Sequence, residues 1–223
     1  MIQLFGKLIS KDPNFYRTVA GIAIPIGLQG LITTGINMMD TIMIGTLGET
    51  ELSAVSLANQ FINIYQILCM GIGMGASVLV SRYYGMKDKV SMQKTVAIMT
   101  RFCLVIASVF ALLTCLFPGA IMRIYTVEDV IIQNGERYLS WSVVTYFLLG
   151  LSLTGTIVLR NVGQVKIPLF TSIGAFFVNI LANYMFIFGK LGAPAMGVAG
   201  AAIGTLIARI FEFSVIDGFL WFR

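Results

Sequence analysis

Residues 18–45 read TVAGIAIPIGLQGLITTGINMMDTIMIG, a run in which Asp40 is the one charged side chain. A helix rises 1.5 Å per residue, so about 20 apolar residues cross a hydrocarbon core of roughly 30 Å. This run is long enough. With no water at that depth, its backbone must satisfy itself as a helix. Five more apolar stretches follow at about 52–80, 94–117, 138–159, 167–188 and 197–221. Six such spans predict an all-α polytopic membrane protein. An amphipathic segment, 1–17, carries Lys7, Lys11 and Arg17, and 18–223 makes up the transmembrane unit.

Composition points the same way. Of 223 residues, 57% are apolar and 11% charged, against about 25% charged in a soluble domain. So few charges could not cover a soluble surface, so lipid is the expected main solvent. There is no histidine, which excludes Ser-His and Cys-His catalytic pairs and His-ligated metal sites. No nucleophile–base pair or metal-ligand cluster stands out, so the expectation is a non-enzyme without cofactors. Cys69, Cys103 and Cys115 lie in apolar runs without C-x-x-C spacing and read as buried small hydrophobes.

The gaps carry turn and cap signals at Gly45–Gly48, Gly85–Lys89, Pro118-Gly119, Gly163 to Pro168, and Gly189 to Gly197. Stretch 120–137 holds Arg123, Glu128, Asp129, Glu136 and Arg137. It is too charged to cross, and reads as an interfacial helix or an extended start of the fourth span. Ten bases fall on one side: Lys7, Lys11, Arg17, Arg82, Lys87, Lys89, Lys94, Arg160, Lys166 and Arg223. Three fall on the other: Arg123, Arg137 and Lys190. The bias predicts a multi-pass plasma-membrane protein with both termini cytoplasmic. It also accounts for the net charge of +5 without nucleic acid as a partner.

Charges within spans are costly and usually face a cavity or a partner. Asp40 sits about five residues, roughly 7–8 Å, from the outer end of the first span. Asn179 and Asn183 are i and i+4 on one face of the fifth span. Thr205 lies about eight residues, roughly 12 Å, into the sixth. All fall at similar depth. A carboxylate, two amides and a hydroxyl suit a hard monovalent cation. The same carboxylate could instead carry a proton, because burial disfavours its charged form. The bland alternative is helix-to-helix hydrogen bonding alone. Arg209 and Glu212, at i and i+3, are placed to form an ion pair or to relay to Asp40. Arg101 is placed to snorkel. Pro25 removes a helix hydrogen bond and is a candidate hinge. Gly71, Gly73, Gly75, Gly200 and Gly204 give small-residue faces for close packing.

These residues resemble the multidrug and toxic compound extrusion (MATE) transporters. Pro25, Met39 through Gly45 and Leu47-Gly48 are similar to that family's first-helix signature. So are Gly75-Ala76-Ser77 to Gly85 in the second span, and Arg160-Asn161-Val162-Gly163 to Pro168 after the fourth. Asn179 to Asn183 and Gly200 to Thr205 complete the resemblance across nearly the whole chain. It implies export of organic cations and drugs, driven by inward Na⁺ or H⁺. It implies one six-helix lobe of a two-lobe, twelve-helix transporter, the second lobe being a missing C-terminal half or another copy. The implied cation site is Asp40, Asn179, Asn183, the Ala201 carbonyl and Thr205, with Thr156 at a further polar family position. Some members carry a second acid where Asn183 stands. Two other readings stay open: a lipid-linked saccharide flippase of the same superfamily, which should show a strongly cationic cavity, and a non-transporting membrane fragment or assembly subunit.

Overall fold

A computed structural model describes residues 13–221. Lys7, Lys11, Arg223 and most of the expected amphipathic N-terminal segment lie outside those residues. The described chain forms α1 Pro13–Gly45, α2 Glu49–Gly85, α3 Lys89–Leu116, α4 Pro118–Arg123, α5 Asp129–Asn161, α6 Lys166–Phe188 and α7 Val198–Trp221. All but α4 are long and apolar enough to cross a membrane. The chain therefore folds as an integral membrane protein. The helices alternate in direction. The near end is where α1 begins; the far end is where it stops at Gly45.

The charged stretch 120–137 divides between a short helix and an extended start of the fourth span. Residues 118–123 make the short α4, and Asp129 opens the long α5. Hydropathy marks the lipid-buried part of a helix, so it cannot see a helix that continues past the lipid. The reversal into α3 is capped by Asp88, whose carboxylate accepts from the Ser91 backbone N–H at 3.0 Å. That hydrogen bond holds the Asp88 carboxyl below the usual carboxylate range.

α5 is the central post. It packs on α2, α3 and α7, while α1 leans chiefly on α6. Tyr65, Cys69, Cys103, Phe110 and Tyr146 fill the gap between α2, α3 and α5. Tyr65 donates to the Tyr146 carbonyl at 2.7 Å, so its hydroxyl is buried with a partner. A second cluster, including Ile44, Ala58, Leu139 and Ala202, closes the far end. Cys69 and Cys103 are buried, but Cys115 is exposed near the end of α3, contrary to expectation. The glycine faces also divide. A Cβ on Gly73 would collide with Ile157, whereas Gly71 and Gly75 face open space and pack nothing. A Cβ on Gly200 would collide with the Phe186 backbone, so α7 can cross α6 that closely only with glycine there.

Candidate cation site and two cavities

The tertiary fold brings Asp40, Asn179 and Asn183 together from α1 and α6. The Asn183 amide Nδ2 donates to Asp40 Oδ1 at 2.5 Å and to Asn179 Oδ1 at 3.3 Å. Both asparagines are fully buried. Asn183 Oδ1 and Asn179 Nδ2 are enclosed without partners. Asn183 Oδ1 points at Gly204, where a Cβ would overlap it. The Gly200-to-Thr205 motif thus lets the amide nest against α7. Ala201 is buried in the far-end core. Thr205 and Asp40 both line a far-end cavity of about 310 Å³.

That cavity also contains a wall the sequence reading missed. Ser56, Asn59, Asn63 and Gln66 line it from α2, and Tyr138 from α5. Tyr138 donates to Asn59 Oδ1 at 3.0 Å. The four α2 positions follow a three-four-three spacing, one face of a helix, so the signal was present as a polar stripe in an apolar span.

A second cavity, of about 400 Å³, opens toward the near end. Met70 and Met74 of α2, Leu153, Ile157 and Arg160 of α5, and Gln29 of α1 line it. Arg160 Nη2 donates to Gln29 Oε1 at 2.6 Å, and Gln29 Nε2 donates to Ser172 Oγ at 3.0 Å. Ser77 donates to Asn161 Oδ1 at 2.7 Å. Thr156 is buried on this cavity, away from the Asp40 cluster. Arg209 lines both cavities and donates to Glu212 at 2.6 Å. Arg101 is exposed on α3. Pro25 lies inside α1, one turn before Gln29. Sequence reasoning passed over Asp217 on α7, whose Oδ2 is enclosed without a partner.

Six apolar spans around cavities with polar walls define a polytopic membrane protein, and comparison with known proteins gives the family. The MatE family model matches residues 25–185. The chain belongs to the MatE family of transporters. It is 27% identical over 220 residues to the probable multidrug resistance protein NorM of Thermotoga maritima, covering 96% of this chain and 46% of that protein. It is 26% identical over 188 residues to the uncharacterized transporter YisQ of Bacillus subtilis, covering 83% and 41%. The chain spans about half the length of the curated relatives it matches. Its fold superposes on an outward-facing multidrug resistance MATE transporter with a TM-score of 0.82 at 22% identity, covering 92% of this chain and 44% of that one. A MOP superfamily transporter from Pyrococcus furiosus gives the same values. The fold is that of one lobe of such transporters.

Proposed function

We propose that the chain is one lobe of a multidrug efflux transporter that exchanges organic cations and drugs for Na⁺ or H⁺ at Asp40. The observation that carries this reading is the Asp40–Asn183–Asn179 cluster, a membrane-embedded carboxylate held by amides at the edge of a polar cavity. Asp40 sits on α1, and the asparagines sit on α6. The charge on Asp40 therefore governs one of the hydrogen bonds that join those two helices, the other being Gln29 to Ser172. Without a coupling ion, the Asn183 N–H holds the carboxylate. An arriving Na⁺ takes oxygen ligands: Asp40, Asn179 Oδ1, the Ala201 carbonyl, the Thr205 hydroxyl, and Asn183 Oδ1 once its amide turns over. A proton instead neutralises Asp40 directly. Either event replaces the charged hydrogen bond and biases α1 toward a different access state, with Pro25 as the hinge.

The second lobe is a further stretch of chain or another copy, related by an axis along the membrane normal. Both termini face the cytoplasm by the basic-residue bias, and the protein is no enzyme. The saccharide-flippase reading asks for a strongly cationic cavity. The two cavities offer only Arg160 and the Glu212-paired Arg209, which favours efflux.

The test is drug-driven Na⁺ or H⁺ exchange by the intact native protein in proteoliposomes. Asp40→Asn should abolish ion-coupled drug movement. Full coupling in that variant would overturn the Asp40 site, and no ion-coupled drug movement in the parent would favour a non-transporting role. The denatured size of the native product distinguishes the lobes' origin. A band near twice 24.3 kDa means one longer chain, and a band at 24.3 kDa means a half-transporter that pairs with itself or with another lobe.

A further inference from the structure

A third cleft, of about 670 Å³, lies at the near end, where α2, α3, α5 and α7 meet. It shares no lining residue with the two interior cavities. Two tight turns build its mouth. Lys87, with φ 58°, turns the chain from α2 into α3, and the Asp88 N–H donates to the Tyr83 carbonyl at 3.0 Å. Tyr84 and Lys89 flank that reversal, and both line the cleft. Gly163, with φ 78°, turns the chain after α5, and the Gln164 N–H donates back to the Leu159 carbonyl at 2.8 Å. Gln164 is thereby brought to the same mouth.

The cleft is polar at its mouth and apolar along its walls. Val96 and Ala97 of α3, Val158 and Leu159 of α5, and Leu220 of α7 form those walls. Further along α3, Ile98, Phe102 and Val105 are exposed, as suits a helix face in contact with lipid. The charge around the mouth is one-sided. Residues 82–101 hold five bases, Arg82, Lys87, Lys89, Lys94 and Arg101, against one acid, Asp88. The Asp88 carboxylate already caps α3 through the Ser91 N–H. Among the described residues, no acid forms an ion pair with Lys89. A basic mouth over an apolar slot, at the end of membrane-spanning helices, matches one chemistry: a negative headgroup with hydrocarbon attached.

We propose that this cleft binds an anionic phospholipid, with its phosphate at Lys89 and an acyl chain between α3, α5 and α7. The lipid is a fixed part of the lobe's surface, outside the two interior cavities, and is not a transported molecule. It ties the α2–α3 turn to the ends of α5 and α7. The proposal stands independently of the efflux reading.

The experiment uses the intact native protein in detergent micelles, titrated with acyl-labelled phosphatidylglycerol or phosphatidylcholine, with bound lipid counted after separation. Phosphatidylglycerol should saturate its site and bind about tenfold more tightly than phosphatidylcholine. Lys89→Gln should weaken phosphatidylglycerol about fivefold. Lys89→Arg should keep the parent's affinity, and so should Lys190→Gln at the far end. Ala97→Phe, which fills the slot from an exposed position, should remove one bound lipid per copy of this lobe. Phosphatidylglycerol should raise the melting temperature of the parent and not that of Ala97→Phe. Inorganic phosphate, which lacks a chain, should not displace the lipid. Parent-like melting in lipid-free micelles shows that each variant is folded, and Lys89→Gln, on the surface, carries the test if the bulkier variant folds poorly.

Equal affinity for the two lipids would overturn the proposal. So would a phosphatidylglycerol preference that survives Lys89→Gln, or a weakening by Lys190→Gln as large as that by Lys89→Gln. Displacement by inorganic phosphate would assign the mouth to a free anion and also overturn it. If no lipid saturates, the cleft is closed by another part of the protein and the proposal fails, with the Asp40 site untouched.

Discussion

The two cavities share walls and differ in chemistry. Thr33, Gln66, Leu149 and Arg209 line both. At the far end the ionisable group is a carboxylate, Asp40, surrounded by amides and hydroxyls. At the near end it is a guanidinium, Arg160, with orphaned donors beside it. Between them Arg209 and Glu212 form a neutral ion pair on α7. One lobe thus separates an acceptor-rich pocket from a donor-rich one. The difference also shows why one was easy to read. An acid in an apolar run is conspicuous, whereas a base at the end of a span passes as a topology signal.

If the two ends are chemically independent, changes at one should leave the other intact. The largest expected effect is that of Asp40→Asn: complete loss of ion-coupled drug exchange, with drug binding retained. Parallel loss of both would mean that the cavities act as one site. Next is Arg160→Gln, which removes the donor to Gln29 Oε1 and should lower the melting temperature while leaving the cation-dependent stabilisation intact.

Gly204→Ala should come third. Its new methyl group must displace Asn183 Oδ1, and overpacking of this kind costs about 1–3 kcal/mol. The melting temperature should fall, and the stabilisation by added Na⁺ or protons should shrink with it. A variant with the parent's cation response would show that Asn183 takes no part in ion binding.

Gln29→Ala is the matching change at the near end. It removes the partner of Arg160 Nη2 and of Ser172. We expect a loss of about 1–2 kcal/mol, since the guanidinium is only half-buried and solvent can reach it. The melting temperature should fall accordingly, while the cation response stays. A changed cation response would instead make Gln29 part of the α1 movement.

Asp88→Ala, at a surface cap outside both cavities, should have the smallest effect. Asp88 is held below the usual carboxylate range by Ser91. Its contribution to stability is therefore present at neutral pH and fades as pH falls through the carboxylate range, below about pH 4. Melting of parent and variant should differ at pH 7 and converge in acid. A gap that persists in acid would place its origin elsewhere.

Much of this was legible beforehand, and the gaps have physical causes. Asp40, Asn179 and Asn183 could be grouped because depth along a span follows from counting residues at a fixed rise. The α2 stripe was equally readable by helical spacing, but scattered amides draw less notice than a charge. Gln29 and Arg160 stand 131 residues apart, and nothing in local pattern joins them. Cys115, Gly71 and Gly75 show a related limit. Residue type says that a position tolerates close packing, but not whether a neighbour is there.

The sequence by itself determined six membrane helices, their order, and the depth of each polar group. Those properties depend on local length and hydropathy, because lipid forces each span to satisfy its own backbone. Tertiary structure alone decided which face of each helix meets which neighbour. That choice depends on side-chain packing between distant segments. It set Asn183 against Asp40, turned Arg160 inward onto Gln29, and divided the polar interior into two unlike cavities.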